Sequence, residues 1–302
     1  MLFQINHITH KNIDKAAYDK CIADAPNRLV YAFSWYLDIV SPNWNALIVN
    51  DYEAVMPLPF KSKLGLRHLY QPWFSQQLGV FGKVHDIDSN SLFNLLKKHY
   101  LFGHFSMNAS NDFRFQHAKE KQRLNLLLDL KRSYAQIQQS YSKNHLRNIE
   151  KANSAELNLT HDLSVESFIT LYQESDLQKK VGWTKKHIKQ LQQLILKAEE
   201  LNKGILIGVE HNNALIAATF VLIDEKRISY LFPITLEKGY ALGAQFFLID
   251  ALFKEHAPTE KVFDFEGSSV EGIARFYRGF GVRQEIFNQI SFGFRLNKTI
   301  QL

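Results

Sequence analysis

The clearest pattern in the chain is a segment in which apolar side chains recur every three or four positions. In TKKHIKQLQQLILKAEELNKG, the residues Ile188, Leu191 and Ile195 fall on one face of a helix. Thr184 stands where an N-cap is expected, and Gly204 ends the pattern. The segment therefore predicts an amphipathic helix with one buried face.

Around this helix, the second half of the chain alternates helical and extended patterns. Residues 133–154 predict one long helix, LNLTHDL predicts a strand and SVESFITLYQES predicts a helix. The apolar runs ILIGVE, ALIAATFVLID and RISYLFPI then predict an antiparallel meander around two tight turns. A helix over about 242–256 leads into the strand VFDFEG, a helical segment and a last long strand, IFNQISFGFRL.

The first half repeats this order of elements. After a helix over 12–25, the runs NALIVN and EAVMPLPF predict a hairpin, SNSLFNLLKKHYLF predicts a helix and HFSMNA predicts a strand. The hairpins begin near Ala46 and Leu206, so the two sets of elements have similar spacing. The pattern predicts a duplicated α/β (α+β) fold with domains at 1–132 and 133–302.

The composition fits this organisation. A chain of 302 residues exceeds what one hydrophobic core usually serves, which supports two domains. The single cysteine, Cys21, excludes an internal disulfide. No apolar run approaches the ~18 residues of a membrane helix, and the N-terminus does not resemble a signal peptide. We therefore expect a soluble, cytoplasmic protein without a membrane span.

The positive charge is concentrated in one segment. Nine basic and three acidic residues lie in 114–151, so this segment carries the whole net charge of +6. Within it, Lys143, Arg147 and Lys151 recur every four residues and line one helix face. The patch favours an anionic partner such as a phosphate, a nucleotide or a nucleic acid, and the alternative is a solvated helix face.

Acids and a phenol converge on one strand-to-helix junction, FDFEGSSVEGIARFYRGFG. Asp264 and Glu266 are two residues apart on the predicted strand and so share one face. A polar turn over 267–269 follows, and then a helical segment that carries Tyr277. A carboxylate here can act as a general base, cap the helix or pair with an arginine, and the phenol can donate a proton or pack in the core. The sequence leaves these alternatives open.

Three segments of the chain resemble tandem acyltransferases. SKNHLRNIEKA resembles the SK-x-x-R-x-x-I-x-K-A segment that opens the second domain of FemAB-type transferases. VFDFEGSS and GIARFYRGFG together resemble the closing segment of that group, and YQPWFSQQLGVF resembles a first-domain segment of tandem GCN5-related N-acyltransferase (GNAT) proteins. The resemblance implies two tandem GNAT-like domains, each a mixed, mostly antiparallel central sheet flanked by helices. The first would shape the acceptor site, and the second would be catalytic and bind the acyl donor.

The chain departs from these families at three points. FemAB-type proteins often carry Lys where this chain has Tyr277, and the long charged hairpin that some members use to engage tRNA is not found. The GNAT pyrophosphate loop, R/Q-x-x-G-x-G/A, is matched only in part by residues 238–244. The resemblance therefore implies acetyl-CoA or another acyl-CoA as the donor, in preference to aminoacyl-tRNA.

The resemblance and the residue chemistry together assign the candidate site. Tyr277 resembles the GNAT tyrosine that protonates the departing thiolate of coenzyme A. The catalytic candidates are Tyr277, Glu266 and Asp264. The candidates for coenzyme binding are Gly239, Leu242, Gly243, Ala244 and Arg278. The candidates for substrate binding are Lys143, Arg147, Trp183, Tyr230 and Arg275, with a core position as the alternative for Tyr230. No metal is expected, because the histidines do not cluster at metal-ligand spacing.

Three hypotheses of function follow. The first is transfer of an acyl group from acyl-CoA to a primary amine of a small molecule, sugar or peptide. The second is a FemAB-type aminoacyl or peptidyl transfer from aminoacyl-tRNA, which the basic segment supports and Tyr277 opposes. The third is a non-catalytic GNAT-like protein that binds an anionic ligand.

Overall fold

The computed structural model describes residues 4–84, 87–267 and 270–293. Ser268 and Ser269 of the predicted turn, and the end of the predicted last strand beyond Gly293, lie outside these ranges. The chain forms two compact units. Unit 1 contains the residues up to Arg123 and those from Ile286 onward, and unit 2 contains Leu124–Glu285. None of the helices in the described ranges is both long and apolar enough to cross a membrane.

Unit 1 is built on one mixed sheet with three helices. Its own strands are β1 (Ile5–Thr9), β2 (Trp44–Val49), β3 (Ala54–Lys63), β4 (Leu66–Tyr70), β5 (Phe81–Gly82) and β6 (Phe102–Ser106). Its helices are α1 (Lys15–Asp24), α2 (Ser34–Val40) and α3 (Ser89–His99). Strands β7 (Lys119–Asp129) and β13 (Arg283–Gly293) each cross from one unit to the other. The sheet order in unit 1 is β1-β2-β3-β4-β6-β13, with β5 beside β3, and among the strands described here only β4 and β6 pair in parallel.

Unit 2 repeats this arrangement. Its strands are β8 (Asn158–Thr160), β9 (Gly204–His211), β10 (Ala214–Ile223), β11 (Arg227–Thr235) and β12 (Val262–Asp264). Its helices are α4 (Tyr134–Gln138), α5 (Lys143–Ser154), α6 (Val165–Glu174), α7 (Asp176–Val181), α8 (Lys185–Glu200), α9 (Glu237–Leu242), α10 (Ala244–His256) and α11 (Glu271–Arg278). The sheet order is β8-β9-β10-β11-β12-β7, and within the described part of unit 2 only β11 and β12 pair in parallel.

The sixth strand of each sheet comes from the other half of the sequence. In unit 2 the last pairing is made by β7, where Leu127 lies opposite Asp264. In unit 1 it is made by β13, where Gln289 lies opposite Ser106. The predicted boundary lies after Arg132, whereas the chain leaves unit 1 after Arg123 and returns to it at Ile286. Apolar periodicity identifies a strand but not its partner, so this exchange has no local signal.

Aromatic rings fill the core of unit 2 between its sheet and α10. The rings of Phe253 on α10 and Phe263 on β12 meet edge to face at 4.8 Å. Phe280, which follows α11, meets Phe253 at 5.7 Å and Tyr141 at 5.3 Å in the same geometry. Burial of each such ring contributes roughly 1.5–3 kcal/mol, so this cluster fixes α10 and the end of α11 against the sheet.

The predicted helix over 133–154 is wrong, because the chain forms two helices there. α4 ends at Gln138 and α5 begins at Lys143. Between them, the backbone N–H of Ser142 donates to the carbonyl of Gly279 at 2.8 Å, and the Ser142 hydroxyl accepts the N–H of His145 as an N-cap. A bond to a residue so distant in sequence breaks the helix where the local pattern predicts continuity.

His145 joins the start of α5 to the end of α11. Its Nε2 lies 2.8 Å from the carbonyl of Phe276 and its Nδ1 lies 2.8 Å from the hydroxyl of Ser142. Since a carbonyl only accepts, Nε2 carries the proton and Nδ1 accepts from Ser142. Burial lowers the pKa of His145 below its ordinary value, which keeps this neutral form. Two of the segments that resemble acyltransferases are therefore held together by directed hydrogen bonds.

Gly279 lets this contact form. A Cβ at Gly279 would lie 1.9 Å from the ring of His145, which burial and two hydrogen bonds hold in place. We expect Gly279→Ala to lower the free energy of unfolding by about 2–4 kcal/mol, as overpacking does in buried sites. The measurement is urea unfolding followed by circular dichroism.

Gly272 in the same helix is the matched control. A Cβ there meets no atom within 4 Å. Gly272→Ala should therefore stabilise the protein by up to about 1 kcal/mol through helix propensity. Equal effects of the two alanines would contradict the proposed role of Gly279.

Candidate functional site

The parallel strands β11 and β12 separate after three pairs. Arg227, Ile228 and Ser229 pair with Val262, Phe263 and Asp264, and β12 ends at the last of these pairs. β11 continues to Thr235. Within the described ranges, this continuation has no strand on its β12 side. The sheet of unit 2 therefore opens at the carboxyl ends of these strands, and backbone groups of β11 face the opening.

A β-bulge widens the other edge of β11. Phe220 pairs with Leu231, but Ala218 pairs with Ile234, so Phe232 and Pro233 stand opposite Thr219 alone. Phe232 has φ +50°. A bulge of this kind bends the strand, and bulges are enriched beside functional sites. Periodicity alone does not predict it.

Asp264, at the last rung of β11 and β12, forms an ion pair with Arg227, which stands at the first rung. Its side chain is 1% exposed, and one carboxylate oxygen accepts from the guanidinium of Arg227. The other oxygen accepts the backbone N–H of Glu266 at 2.8 Å. Burial alone would lower the pKa of Arg227, and the charges of Asp264 and Glu285 raise it. The carboxylate of Asp264 is thus occupied within the fold.

Glu266 stands in a left-handed turn directly after this pair. It has φ +62°, and Gly267 after it has φ +63°. A Cβ at Gly267 would lie 2.2 Å from the carbonyl of Leu124, so this position requires glycine. The left-handed conformation costs a glutamate on the order of 1–2 kcal/mol. Burial raises the pKa of Glu266 to about 8.

Tyr277 lies in electrostatic range of Glu266. Its buried ring packs against Phe265 at 4.7 Å and meets Tyr230 edge to face at 6.3 Å. Burial is the main cause that raises the pKa of Tyr277, followed by the charges of Glu266 and Tyr240. The phenol therefore stays protonated at neutral pH. No hydrogen bond joins its hydroxyl to any residue in the described ranges.

Tyr230 is buried below the opening. Its hydroxyl donates to Oε1 of Gln245 in the first turn of α10. Nε2 of Gln245 donates to the carbonyl of Ile234 at 3.0 Å and to the hydroxyl of Thr235 at 2.9 Å. Gln245 thus ties the start of α10 to the end of β11 beyond the bulge.

The segment 238–244 is not the loop that the sequence predicts. Its first part forms α9, and Gly243, with φ +74°, joins α9 to α10. A Cβ at Gly239 would lie 2.5 Å from the carbonyl of Ile216, and one at Gly243 would lie 3.1 Å from that of Asn148. Packing against β10 and α5 therefore accounts for both glycines. Leu242 ends α9 and Ala244 begins α10, whose first N–H groups lack acceptors within the helix.

The predicted cationic residues lie at the surface. Lys143, Arg147 and Arg275 are exposed, and Arg147 bonds Asn144 on its own helix. Arg278 is 2.8 Å from Oε1 of Glu271. Within the described ranges, no hydrogen bond or ion pair joins Lys143, Arg147 or Arg275 to the acids of the junction. The contact between α5 and α11 nevertheless places the first turn of α5 beside the last turn of α11.

Trp183 lies at the bulge. Its ring stacks on Tyr172 at 4.7 Å and meets Phe232 edge to face at 5.5 Å. Since Phe232 is the bulged residue, the loop before α8 reaches β11 at the point where the ladder is broken.

The structure therefore joins Asp264, Glu266, Tyr277 and Tyr230 in one cluster. Sequence reasoning missed Arg227 and Gln245, which hold Asp264 and Tyr230. An arginine after a predicted turn and a glutamine in a helix carry no local signal of these contacts. Among the described residues, no group of three or more His, Cys, Asp or Glu side chains is placed to hold a metal ion.

Comparison with known proteins identifies the fold. No protein-family model and no curated protein sequence matches the chain. The structure is similar to that of FemX, with a TM-score of 0.68 and 11% identity over 95% of this chain and 97% of that one. It is similar to a tandem GNAT protein from the clavulanic acid biosynthesis pathway, with a TM-score of 0.53 and 11% identity over 95% and 98%.

L-PGS from Bacillus licheniformis is a further similar structure, with a TM-score of 0.52 and 13% identity over 85% of both chains. At these identities, the similarity shows the fold alone. The prediction of a tandem GNAT-like, FemAB-like fold with a mixed, mostly antiparallel sheet flanked by helices is confirmed.

The raised pKa of Glu266 leads us to predict how the free energy of unfolding depends on pH. Because the folded pKa is about 8 and the ordinary value is 4.5, ionising Glu266 opposes folding. The stability that the protonated side chain of Glu266 contributes is fully present below pH 4.5, and it is lost as the pH rises to about 8. Glu266→Gln should therefore gain stability over the wild type between these values, by at most about 5 kcal/mol. Urea unfolding at pH 5, 6, 7, 8 and 9 measures the difference.

Glu271→Gln supplies the control, because Glu271 is exposed on α11. Its effect should stay within about 0.5 kcal/mol at every pH. A difference between Glu266→Gln and the wild type that does not change with pH would show that Glu266 is not desolvated.

Proposed function

We propose that the chain is an acyltransferase that moves an acyl group from acyl-CoA to a primary amine on a small molecule, sugar or peptide. The GNAT-like fold supports an acyltransferase, and the site in unit 2 supports the chemistry. The observation that carries the proposal is that Glu266, which follows β12 where β11 and β12 separate, lies within electrostatic range of the buried phenol of Tyr277. One side chain suits a base, and the other suits an acid.

Glu266 acts as the general base. An amine must lose a proton as it attacks a thioester, and a carboxylate with a pKa of about 8 is matched to an amine near neutral pH. Asp264 is kept as a positioning residue, because its carboxylate is occupied by Arg227 and by the N–H of Glu266. The strained conformation of Glu266 supports a functional role, since strain of this kind clusters at active sites.

Tyr277 acts as the acid. Its raised pKa keeps the phenol protonated, so the hydroxyl can hydrogen-bond the sulfur as the thiolate departs and deliver its proton. The charge of Glu266 contributes to this raised pKa, so ionisation of the base favours the protonated form of the acid.

The donor lies along the opening. The edge of β11 beyond Ser229, which has no strand on its β12 side in the described ranges, offers backbone groups to an extended pantetheine arm. The first N–H groups of α10, which begins at Ala244 after Gly239, Leu242 and Gly243, face the pyrophosphate, which a helix N-terminus binds well. The positive charge of Arg278 contributes to binding of the pyrophosphate. Trp183 and the buried Tyr230 shape the acceptor side, and Lys143, Arg147 and Arg275 attract an anionic group of the acceptor.

Unit 1 serves the acceptor site or the fold rather than a second donor site. Its own parallel pair, β4 and β6, ends with Tyr70 opposite His104. Beyond that pair, the side chain of Gln71 accepts the N–H of Ser106, and the N–H of Leu78 donates to the carbonyl of Ser106. In unit 1, residues of the chain itself thus occupy the position beyond the parallel pair, which is open in unit 2.

Aminoacyl-tRNA is the second candidate donor. The observation that favours it is the exposed face of α5, where Lys143, Arg147 and Lys151 point to solvent at four-residue spacing. Such a face suits a phosphate backbone. The same base and acid would serve, with a ribose hydroxyl in place of the thiol as leaving group.

Two substitutions test the chemistry once an amine acceptor is found by screening with acetyl-CoA. Glu266→Gln should lower kcat by about 100-fold to 10,000-fold, and wild-type kcat/KM should fall as pH drops below about 8. Tyr277→Phe should lower kcat by about 10-fold to 100-fold with KM unchanged. Tyr240→Phe, an exposed phenol near Tyr277, is the control and should keep full turnover. Full turnover by both site variants would exclude the proposed roles.

Calorimetric titration separates the donors. Heat with acetyl-CoA and none with total aminoacyl-tRNA would support the first proposal, and the reverse would support the second. Tight binding of acetyl-CoA without turnover of any amine would favour a non-catalytic binding protein.

A further inference from the structure

Three exposed leucines lie at one end of unit 1, two in the hairpin of β3 and β4 and one beside its base. Leu64, in the turn between β3 and β4, is 93% exposed, and Leu66 is 57% exposed. Leu101 is 48% exposed, and its backbone N–H donates to the carbonyl of Arg67 at 2.9 Å. No large apolar side chain in the described ranges is more exposed than Leu64. These three residues are called the leucine tip.

The hairpin that carries the leucine tip projects beyond its sheet. On one side, β2 begins with Trp44 opposite Pro59 of β3. On the other side, β6 begins with Phe102 opposite His68 of β4. Residues 61–67 therefore form a two-stranded ribbon, and all seven are exposed. At about 3.3 Å per residue, the ribbon extends roughly 10 Å past its neighbours.

The turn itself is unfavourable for leucine. Leu64 and Gly65 have φ +51° and +79°, the pattern of a two-residue turn in which both central residues are left-handed. Asn or Asp is preferred at the first of these positions, and a leucine there costs about 1 kcal/mol or more. Because the leucine side chain is exposed to water, no burial of apolar surface offsets this cost. The residue is therefore unfavourable for the isolated fold in both backbone conformation and exposure.

Cations surround the leucine tip. The sequence has no Asp or Glu in 60–70 or 95–104. The exposed basic residues of these two segments are Lys61, Lys63, Arg67, Lys97 and Lys98. The ammonium of Lys61 lies 4.5 Å from the centre of the Tyr70 ring, and the guanidinium of Arg67 lies 5.3 Å from that of Phe60. Burial is the main cause that lowers the pKa of His99, and the charges of Lys98 and Arg67 lower it further, so the cations of the two segments act on the same side chain.

We propose that this end of unit 1 docks the protein on an anionic lipid surface. The leucine tip enters the headgroup layer, and the five cations meet lipid phosphates. The projection of roughly 10 Å matches the 5–10 Å to which interfacial segments insert. A convex two-residue turn offers far less than the roughly 800 Å² per partner of a stable protein interface. Cations around an apolar point therefore fit an anionic bilayer better than a protein groove.

Vesicle flotation of the full chain tests the proposal. The protein should float with vesicles of phosphatidylglycerol and phosphatidylcholine in equal parts, and not with phosphatidylcholine alone. Binding should weaken in 0.5 M salt, because the cations are exposed. Leu64→Asn should weaken binding about 10-fold by removing one inserted side chain. Its unfolding temperature should be unchanged or higher, because Asn suits the turn.

Leu196→Gln is the matched control. Leu196 is 56% exposed on α8 of unit 2, outside the hairpin, and its substitution should leave vesicle binding unchanged. Equal loss in both variants, full binding by Leu64→Asn, or no binding to anionic vesicles would overturn the proposal. A labelled RNA that binds with the same sensitivity to Leu64→Asn, while vesicles do not, would assign the surface to nucleic acid and also overturn it.

Discussion

The buried ion pair between Asp264 and Arg227 is the interaction on which the candidate site depends. It links the first rung of the parallel pair β11 and β12 to the last, where the two strands separate. The second oxygen of the same carboxylate holds the N–H of Glu266 and so sets the left-handed turn. Burying two charges gives little net stability compared with an apolar pair of similar size. The pair fixes the direction in which the chain leaves the sheet after β12.

A second constraint fixes the helix that carries Tyr277. The start of α5 hydrogen-bonds the carbonyls at the end of α11, and the rings of Phe253, Phe265 and Phe280 pack below. The phenol is therefore held by packing and the carboxylate by backbone geometry. The fold thus sets the positions of both groups, as electrostatic preorganisation of the proposed site would require. Glu266 combines strain with desolvation, and the surrounding core offsets that cost.

The local sequence pattern predicted the elements that are marked by a cap or by a run of apolar residues. Thr184 caps α8 with a capping box, Asp14 caps α1, and the meander β9–β11 follows its apolar runs. The break before Ser142, the bulge at Phe232 and the exchange of β7 and β13 were not predictable, because each is set by contacts far away in sequence. The same division holds at the site. Glu266 and Tyr277 stand out by residue type and position, whereas Arg227 and Gln245 acquire meaning only from their neighbours in space.

The exchange of the sixth strands has a consequence for how the protein is made. A ribosome delivers the first half of the chain long before β13 exists, so the nascent sheet of unit 1 waits with the edge of β6 uncovered. Unit 2 receives β7 early and can complete its sheet once Asp264 has emerged. Unit 1 is thus synthesised first, but its sheet is completed after the sheet of unit 2. Exposed edges of this kind pair readily with other chains, so the nascent chain is most open to mispairing in the interval before β13 emerges.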